Sequence, residues 1–508
     1  MGFGPSGPRG AVSDALRVCY CTSEAVPFAK TGGLADVAGA LPRALAEIGC
    51  DVRVVLPGYR SIDRAKSGFL LIGEAAVPLG RDPVSVQFFE GRLPGSAVPV
   101  YLVASTRFFD RGGLYGEAGA DYADNLERFT VFCRGVLALL HHLAWPAQVL
   151  HCQDWQTALL PVWLRLEPRD PILTATSTLL TIHNLAYQGL FPAGLLPLTG
   201  LRPEFFTPRG IEFYGKINLL KGGLVTADLL STVSEQYARE IQTEEFGCGL
   251  EGVLRERARD LVGILNGVDY SAWDPAHDPL IPARYTPEDL TGKGVCKADL
   301  QRALDLAPDP KTPLIGMITR LADQKGLDLV AATLEVILGL GAEFALLGAG
   351  DPAYQTLFKE MGKRYRGRAG VTLGFDEGLA HRIEAGADMF LMPSRYEPSG
   401  LNQLYSLRYG TVPVVRKTGG LADTVVDAEG EALTRGTANG FVFDAYTPDA
   451  LLRTVIRALA AFRTPAEWRR LQAVGMRQDF SWERSASRYV SAYRRIIAAR
   501  AAAGAPGG

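Results

Sequence analysis

Short, continuous apolar runs separated by longer stretches of helical spacing limit this chain more than any other feature. They fall at 16–21, 51–56, 149–151, 179–183, 229–233 and 261–265, and again at 314–318, 344–347, 371–374, 389–392 and 412–415. Unbroken rather than alternating apolar character means strands buried on both faces, which parallel sheets covered by helices provide. The two series predict an α/β protein of two doubly wound, Rossmann-like domains, and 508 residues suffice for both. Between them the chain turns proline-rich, from Asp274-Pro275 through Pro279, Pro282 and Pro287. We therefore expect a first domain over 16–268, a second over 269–480, and a helix over 481–501 packing back on the first domain. The ends, 1–15 and 502–508, are expected to be disordered.

A formal charge of -2 gives no general attraction to polyanions, so nucleic acid is not an expected partner. No apolar run approaches the roughly 20 residues of a membrane helix, and the first fifteen residues lack a secretory core. A cytoplasmic protein without a membrane partner is expected. The 7 cysteines are scattered and form no C-x-x-C pair, which fits reduced thiols.

Lys-Thr-Gly-Gly-Leu-Ala-Asp occurs twice, at 30–36 and 417–423. The first copy joins a strand to a helix. Glycines admit an anion close to the backbone, the first helix amides point at it, and Lys30 adds charge. The spacing is that of neither a Walker loop nor G-x-G-x-x-G, so a tight turn with a solvated lysine is the competing reading. Ligands of open parallel sheets bind beyond the carboxyl ends of the strands. The residues there include Lys30 in the turn that ends at Gly33, Asp154, His183 and Asn184, Ser234 and Glu235, Asn266, Arg320, Lys325, Glu397 and Thr418. Loops of both domains can thus line one cleft, and Lys30, Arg320 and Lys325 suit a diphosphate. Each residue has a plainer alternative. Asp154 can cap a helix, His183 can be a satisfied core histidine, and Arg320 and Lys325 can pair with Asp323 and Asp328. His141, His142 and His151 match no zinc spacing, and Gly348-Ala349-Gly350-Asp351 misses the third glycine of a dinucleotide loop.

The segments KTGGLADV (30–37), HCQDW (151–155), TIHNLAYQG (181–189), FYGKINLLKGGL (213–224), STVSEQYAREI (231–241), GILNGVDYSAWDP (263–275), GMITRLADQKGLDL (316–329), the stretch 392–425 and NGFVF (439–443) resemble bacterial glycogen synthases and plant starch synthases. The resemblance runs from about residue 19 to 493. It implies the GT-B architecture and transfer of glucose from ADP-glucose to the non-reducing end of an α-1,4-glucan such as glycogen, with retention and without metal or other cofactor. It also implies roles. Lys30 contacts the donor, Arg320 and Lys325 hold the diphosphate, and Glu397 binds and orients the glucose. The amides of Gly400 and Leu401 receive phosphate, and Asp154, His183 and Asn266 line the glucose pocket. Gly33, Ser399 and Thr418 complete the donor set. Two positions depart from related sequences: Ser399 stands where many bacterial relatives have cysteine, and Tyr405 where broader retaining relatives have a second glutamate. A covalent and a front-face route both remain open, the latter favoured because no clear nucleophile emerges. Competing functions are a glucan phosphorylase, a catalytically silent glucan-binding protein and a transferase using UDP-glucose.

Overall fold

The computed structural model describes residues 15–117, 119–167 and 172–504. The expectation of disorder at 1–14 and 505–508 falls outside the described residues. Two large sheets carry the chain. The first has nine strands in the order Leu261–Gly263, Leu229–Thr232, Ser177–Ile182, Val149–Gln153, Arg17–Cys21, Asp51–Pro57, Pro99–Ala104, Asp82–Arg92 and Leu70–Leu79. Arg17–Cys21 runs parallel to both neighbours, while the last two strands form an antiparallel hairpin at the edge. That hairpin, Pro99–Ala104 and the later strand Phe441–Phe443 were not among the apolar runs. Asp82–Arg92 alternates buried Val84, Val86 and Phe88 with exposed neighbours, so a search for continuous runs passes over it.

The second sheet has six parallel strands in the order Ala369–Leu373, Glu343–Gly350, Leu314–Leu321, Met389–Met392, Val412–Arg416 and Phe441–Phe443. Counted along the chain from Leu314–Leu321, this is 3-2-1-4-5-6, the doubly wound order whose direction reverses between the first and fourth strands. Its faces are buried by helices, with Leu327, Val330, Leu334 and Ile337 of Leu327–Gly339 packed in the same core as Leu451, Val455 and Ala458 of Pro448–Phe462.

By their contacts the residues form two compact units, one of Met1–Leu180, Gln188–Leu229 and Tyr489–Gly508, the other of Thr181–Tyr187 and Leu230–Arg488. The second unit thus takes in segments that a single cut after residue 268 leaves with the first. Hydrogen bonds explain part of this: Asp423 accepts from Ser234 Oγ (2.7 Å) and Gln236 N (3.0 Å), and Glu240 accepts from Gly419 N.

The last helix, Trp482–Gly504, extends three residues past its expected end, through Ala502 and Ala503, of the highest helix propensity, to Gly504. Its part in the first unit is anchored by Tyr493, whose hydroxyl lies 2.8 Å from His151 Nδ1, and by the Ile496 carbonyl, 3.5 Å from Ser177 Oγ. His151 is therefore a packing residue, edge-on to Tyr20 at 4.9 Å. Tyr493→Phe is expected to lower the free energy of unfolding by about 1 kcal/mol by leaving a buried ring nitrogen without this partner. A fall in the urea midpoint at constant slope is the measurement; no change would mean that the ring packing alone holds the helix.

Candidate active site

At the reversal point of the six-stranded sheet two loops meet. One follows Leu314–Leu321 and carries Arg320 and Lys325; the other follows Met389–Met392 and carries Glu397. Gly326, in the left-handed region at φ 70°, opens the helix Leu327–Gly339, and a Cβ there would come within 2.1 Å of the Pro393 carbonyl oxygen. Only glycine allows this approach. The loops are joined by Arg395 N donating to Gln324 O (2.8 Å) and Gln324 Nε2 donating to Tyr396 O (3.1 Å). Lys325 Nζ then lies 2.7 Å from Glu397 Oε2, an ion pair with 17% and 8% of the two side chains exposed, and Ser394 Oγ donates to the same oxygen at 2.9 Å. Arg320 is exposed at the carboxyl edge, its guanidinium 3.5 Å from Gln324 Oε1.

Surface pairing of these cations with Asp323 and Asp328 is not what the chain does. Asp323 accepts from the Tyr354 hydroxyl at 2.6 Å, and Asp328 pairs with Arg395 at 3.0 Å and receives the Tyr446 hydroxyl.

Beyond Glu397, Ser399 is buried with its hydroxyl directed at Gly400 O (3.3 Å), Gly400 has φ 65°, and Leu401 precedes the helix Asn402–Arg408. The second Thr-Gly-Gly turn packs on this backbone: Gly420 N donates to Glu397 O at 3.1 Å. Thr418 is buried, with Oγ1 3.1 Å from Glu240 Oε2, while Lys417 is exposed near Asp444. The segment Thr181–Tyr187 belongs to the same unit, and its Asn184 side chain accepts from Ala186 N at 3.1 Å. His183 precedes it, and burial pulls the pKa of its imidazole down to about 3, so the ring is neutral at physiological pH. Asn266, also in this unit, is 5% exposed and its Oδ1 has no hydrogen-bond partner among the described residues, an acceptor suited to a ligand hydroxyl.

Lys30, Gly33 and Asp154 belong to the other unit. Lys30 is exposed and its Nζ lies 2.7 Å from Asp36 Oδ1. Gly33 begins the helix Gly33–Glu47. Asp154 is buried directly after Val149–Gln153 with φ 55° and ψ -168°, a conformation that is essentially glycine's alone. It occupies the N-cap position of Trp155–Thr157, yet its side chain makes no capping bond there. Strain of this kind persists where a side chain must be held in one place, which argues against the simple cap.

Sequence reasoning passed over Ser394, Glu240 and Phe375. The first two act through hydrogen bonds to a loop carboxylate and to a turn remote in sequence. Phe375 carried a local signal, an aromatic residue between Gly374 and the helix-capping Asp376; it is 82% exposed at the carboxyl edge, just after Ala369–Leu373. Among the described residues no group of three or more His, Cys, Asp or Glu could hold a metal ion, and no helix is long and apolar enough to cross a membrane.

The chain matches the starch synthase catalytic domain family over residues 17–256 and the glycosyl transferases group 1 family over 304–470. It is 52% identical to a glycogen synthase of Anaeromyxobacter dehalogenans over 95% of this chain and 100% of that one, and 48% identical to a glycogen synthase of Syntrophotalea carbinolica over 95% and 99%. Among solved structures it is similar to the catalytic domain of starch synthase IV from Arabidopsis thaliana bound to ADP and acarbose, with a TM-score of 0.88 and 32% identity over 96% of this chain and 100% of that one.

Asp154→Gly is expected to stabilise the fold by about 1 kcal/mol through relief of backbone strain. A lower melting temperature would show that the carboxylate, not the strain, dominates at this position. His183 binds a proton near pH 6.5 when unfolded and only near 3 when folded, so stability should fall as pH drops through that window. Urea midpoints at pH 7 and pH 5 should differ less for His183→Gln than for the wild type; an equal difference would assign the acid sensitivity to other groups.

Proposed function

Because the chain belongs to the glycogen synthase family and is a glycosyltransferase, we propose that it moves glucose from ADP-glucose to the non-reducing end of an α-1,4-glucan with retention, releasing ADP. The observation that carries this reading is the Lys325–Glu397 pair at the reversal point of the second sheet, with Arg320 on the same loop. In the reaction the bond from the anomeric carbon to the β-phosphate oxygen breaks and charge builds on the departing diphosphate. Arg320 and Lys325 are the cations that offset it, and groups fixed in advance do so without reorganisation. Gly400 and Leu401 precede the helix Asn402–Arg408, and we assign a donor phosphate to their amides, since helix starts favour anions. We assign glucose hydroxyls to Glu397 and to the buried Asn266 acceptor, and Lys30, Asp154 and His183 to the donor sugar and its phosphates.

In the front-face route that we favour, the leaving phosphate oxygen accepts the proton of the acceptor 4-hydroxyl as the new bond forms on the side from which ADP departs. Neutral His183 adds no positive charge to repel the oxocarbenium-like centre. No metal is required, since the two side-chain cations supply the charge. Phe375 offers an exposed ring on which an adenine can stack, two strands from Arg320. A starch synthase similar to this chain was solved with ADP and acarbose, a nucleotide and an oligosaccharide analogue, which supports both substrate classes.

The test is incorporation of labelled glucose into glycogen from ADP-glucose and from UDP-glucose. ADP-glucose should be preferred, and Lys30→Ala, Lys325→Ala and Glu397→Ala should each lower kcat by about 10²-fold or more in folded protein. Equal use of UDP-glucose would overturn the donor assignment, and glycogen binding without transfer from either donor would make the chain a silent glucan-binding protein. Phe375→Ala should raise KM for ADP-glucose about tenfold, as loss of a stacking contact worth roughly 1–3 kcal/mol would, with little change in kcat. An unchanged KM would remove the ring from the donor site.

A further inference from the structure

Both Thr-Gly-Gly turns hold a carboxylate of the protein itself. In the first, Glu24 is 3% exposed; Oε2 accepts from Thr31 N at 2.5 Å and Gly32 N at 3.1 Å, and Oε1 from Thr31 Oγ1 at 2.5 Å and the Tyr115 hydroxyl at 2.6 Å. In the second, Glu240 is 7% exposed; Oε1 accepts from Gly419 N at 3.0 Å and Oε2 from Thr418 Oγ1 at 3.1 Å. The same two groups of the repeat, a threonine hydroxyl and the following glycine amide, are thus used in both copies. Their partners are unrelated in sequence: Glu24 follows the strand Arg17–Cys21, whereas Glu240 ends the helix Glu235–Glu240, 178 residues before Thr418.

Each turn passes this restraint to a residue assigned to the donor. Lys30 immediately precedes Thr31. Gly419 lies against Glu397 so closely that a Cβ would come within 1.9 Å of the Glu397 carbonyl oxygen, and Gly420 N donates to that oxygen. Glycine turns left to themselves sample many conformations, and charge-assisted bonds to a buried carboxylate select one.

We infer that Glu24 and Glu240 are positioning residues for Lys30 and Glu397, each fixing a donor-binding loop by filling a Thr-Gly-Gly turn. The inference rests on the donor roles proposed above for Lys30 and Glu397. The turn amides at Thr31, Gly32 and Gly419 are accordingly internal struts, and the diphosphate takes its amides from elsewhere. Glutamine can replace Glu24 without loss of a bond, and Glu240 with loss only of the second branch of the Gly419 amide bond, to Oε2 at 3.1 Å. Its oxygen accepts from the amides, and its NH2 donates to the threonine hydroxyl and, at Glu24, to Tyr115.

The experiment compares wild type with Glu24→Ala, Glu24→Gln, Glu240→Ala and Glu240→Gln, at a temperature where circular dichroism finds each folded. Transfer from ADP-glucose to glycogen and calorimetric affinity for ADP are read together. Each alanine variant should lose about tenfold or more in kcat/KM for ADP-glucose, with KM for glycogen within about twofold, and each glutamine variant should stay within about threefold of wild type. A lower melting temperature with wild-type kinetics overturns the inference, as does an equal loss for alanine and glutamine. Should an alanine variant not fold, Glu24→Asp or Glu240→Asp, which withdraws the carboxylate by one methylene, is judged by the same criterion. If the wild type transfers nothing, the donor reading has failed by itself. ADP affinity then decides: about tenfold weaker binding in the alanine variants supports positioning, and unchanged binding overturns it.

Discussion

Lys325 and Glu397 stand 2.7 Å apart at the one place in the second sheet where neighbouring strands send their chains in opposite directions. Taking two charges largely out of water costs free energy that their attraction does not reliably recover, so such a pair is weak evidence for stability. What it does is fix two side chains whose chemistry is useful only in one place. The surrounding structure serves the same end. Gly326 is required because the Pro393 carbonyl occupies the space of a side chain, and Gln324 bonds both Arg395 and Tyr396. Cation, carboxylate and loop backbones are thereby set before any ligand arrives, the condition under which charge stabilisation is most effective.

The repeated KTGGLAD extends that logic and shows how context divides identical residues. Its aspartate pairs with Lys30 in one copy, and in the other accepts from Ser234 and Gln236 at the start of a helix. Its lysine is close to Asp36 in the first copy and near Asp444, in solvent, in the second. The threonine hydroxyl and the next amide do the same work twice, because each copy meets a buried carboxylate brought from elsewhere in the chain.

This division also marks what could be read from the sequence. Parallel strands buried on both faces announce themselves as unbroken apolar runs, and from Leu314 to Arg416 every strand of the second sheet was found that way. The edge hairpin 70–92 escaped because one face is wet and its pattern alternates. Among site residues, Lys325 and Glu397 were legible because sheet topology predicts which loops carry ligands. That they pair with each other was not, since two carboxylates closer in sequence, Asp323 and Asp328, offered equal electrostatics; Tyr354, Tyr446 and Arg395 occupy those instead. Glu240 was invisible for a stronger reason. A buried carboxylate is chosen by what it meets in space, and nothing in a run of helical residues records a partner 178 positions away.

The same reasoning bears on Tyr405, where the family resemblance implies a glutamate. Its ring lies parallel to the Trp273 indole, 4.1 Å between centroids and 1° between planes, and Trp273 also stacks on His381 at 3.8 Å. His381 Nδ1 in turn lies 2.7 Å from Asp278 Oδ2, which accepts the Tyr409 hydroxyl at 2.6 Å. Burial alone would push the Asp278 carboxyl up, but the His381 and Tyr409 hydrogen bonds outweigh it and hold it below the usual carboxylate range. Position 405 is thus one face of a packed stack that fastens the proline-rich connection to the second sheet. A carboxylate there would face the flat side of an indole, where the ring's quadrupole repels negative charge. Tyr405 and Trp273 are two halves of one packed stack.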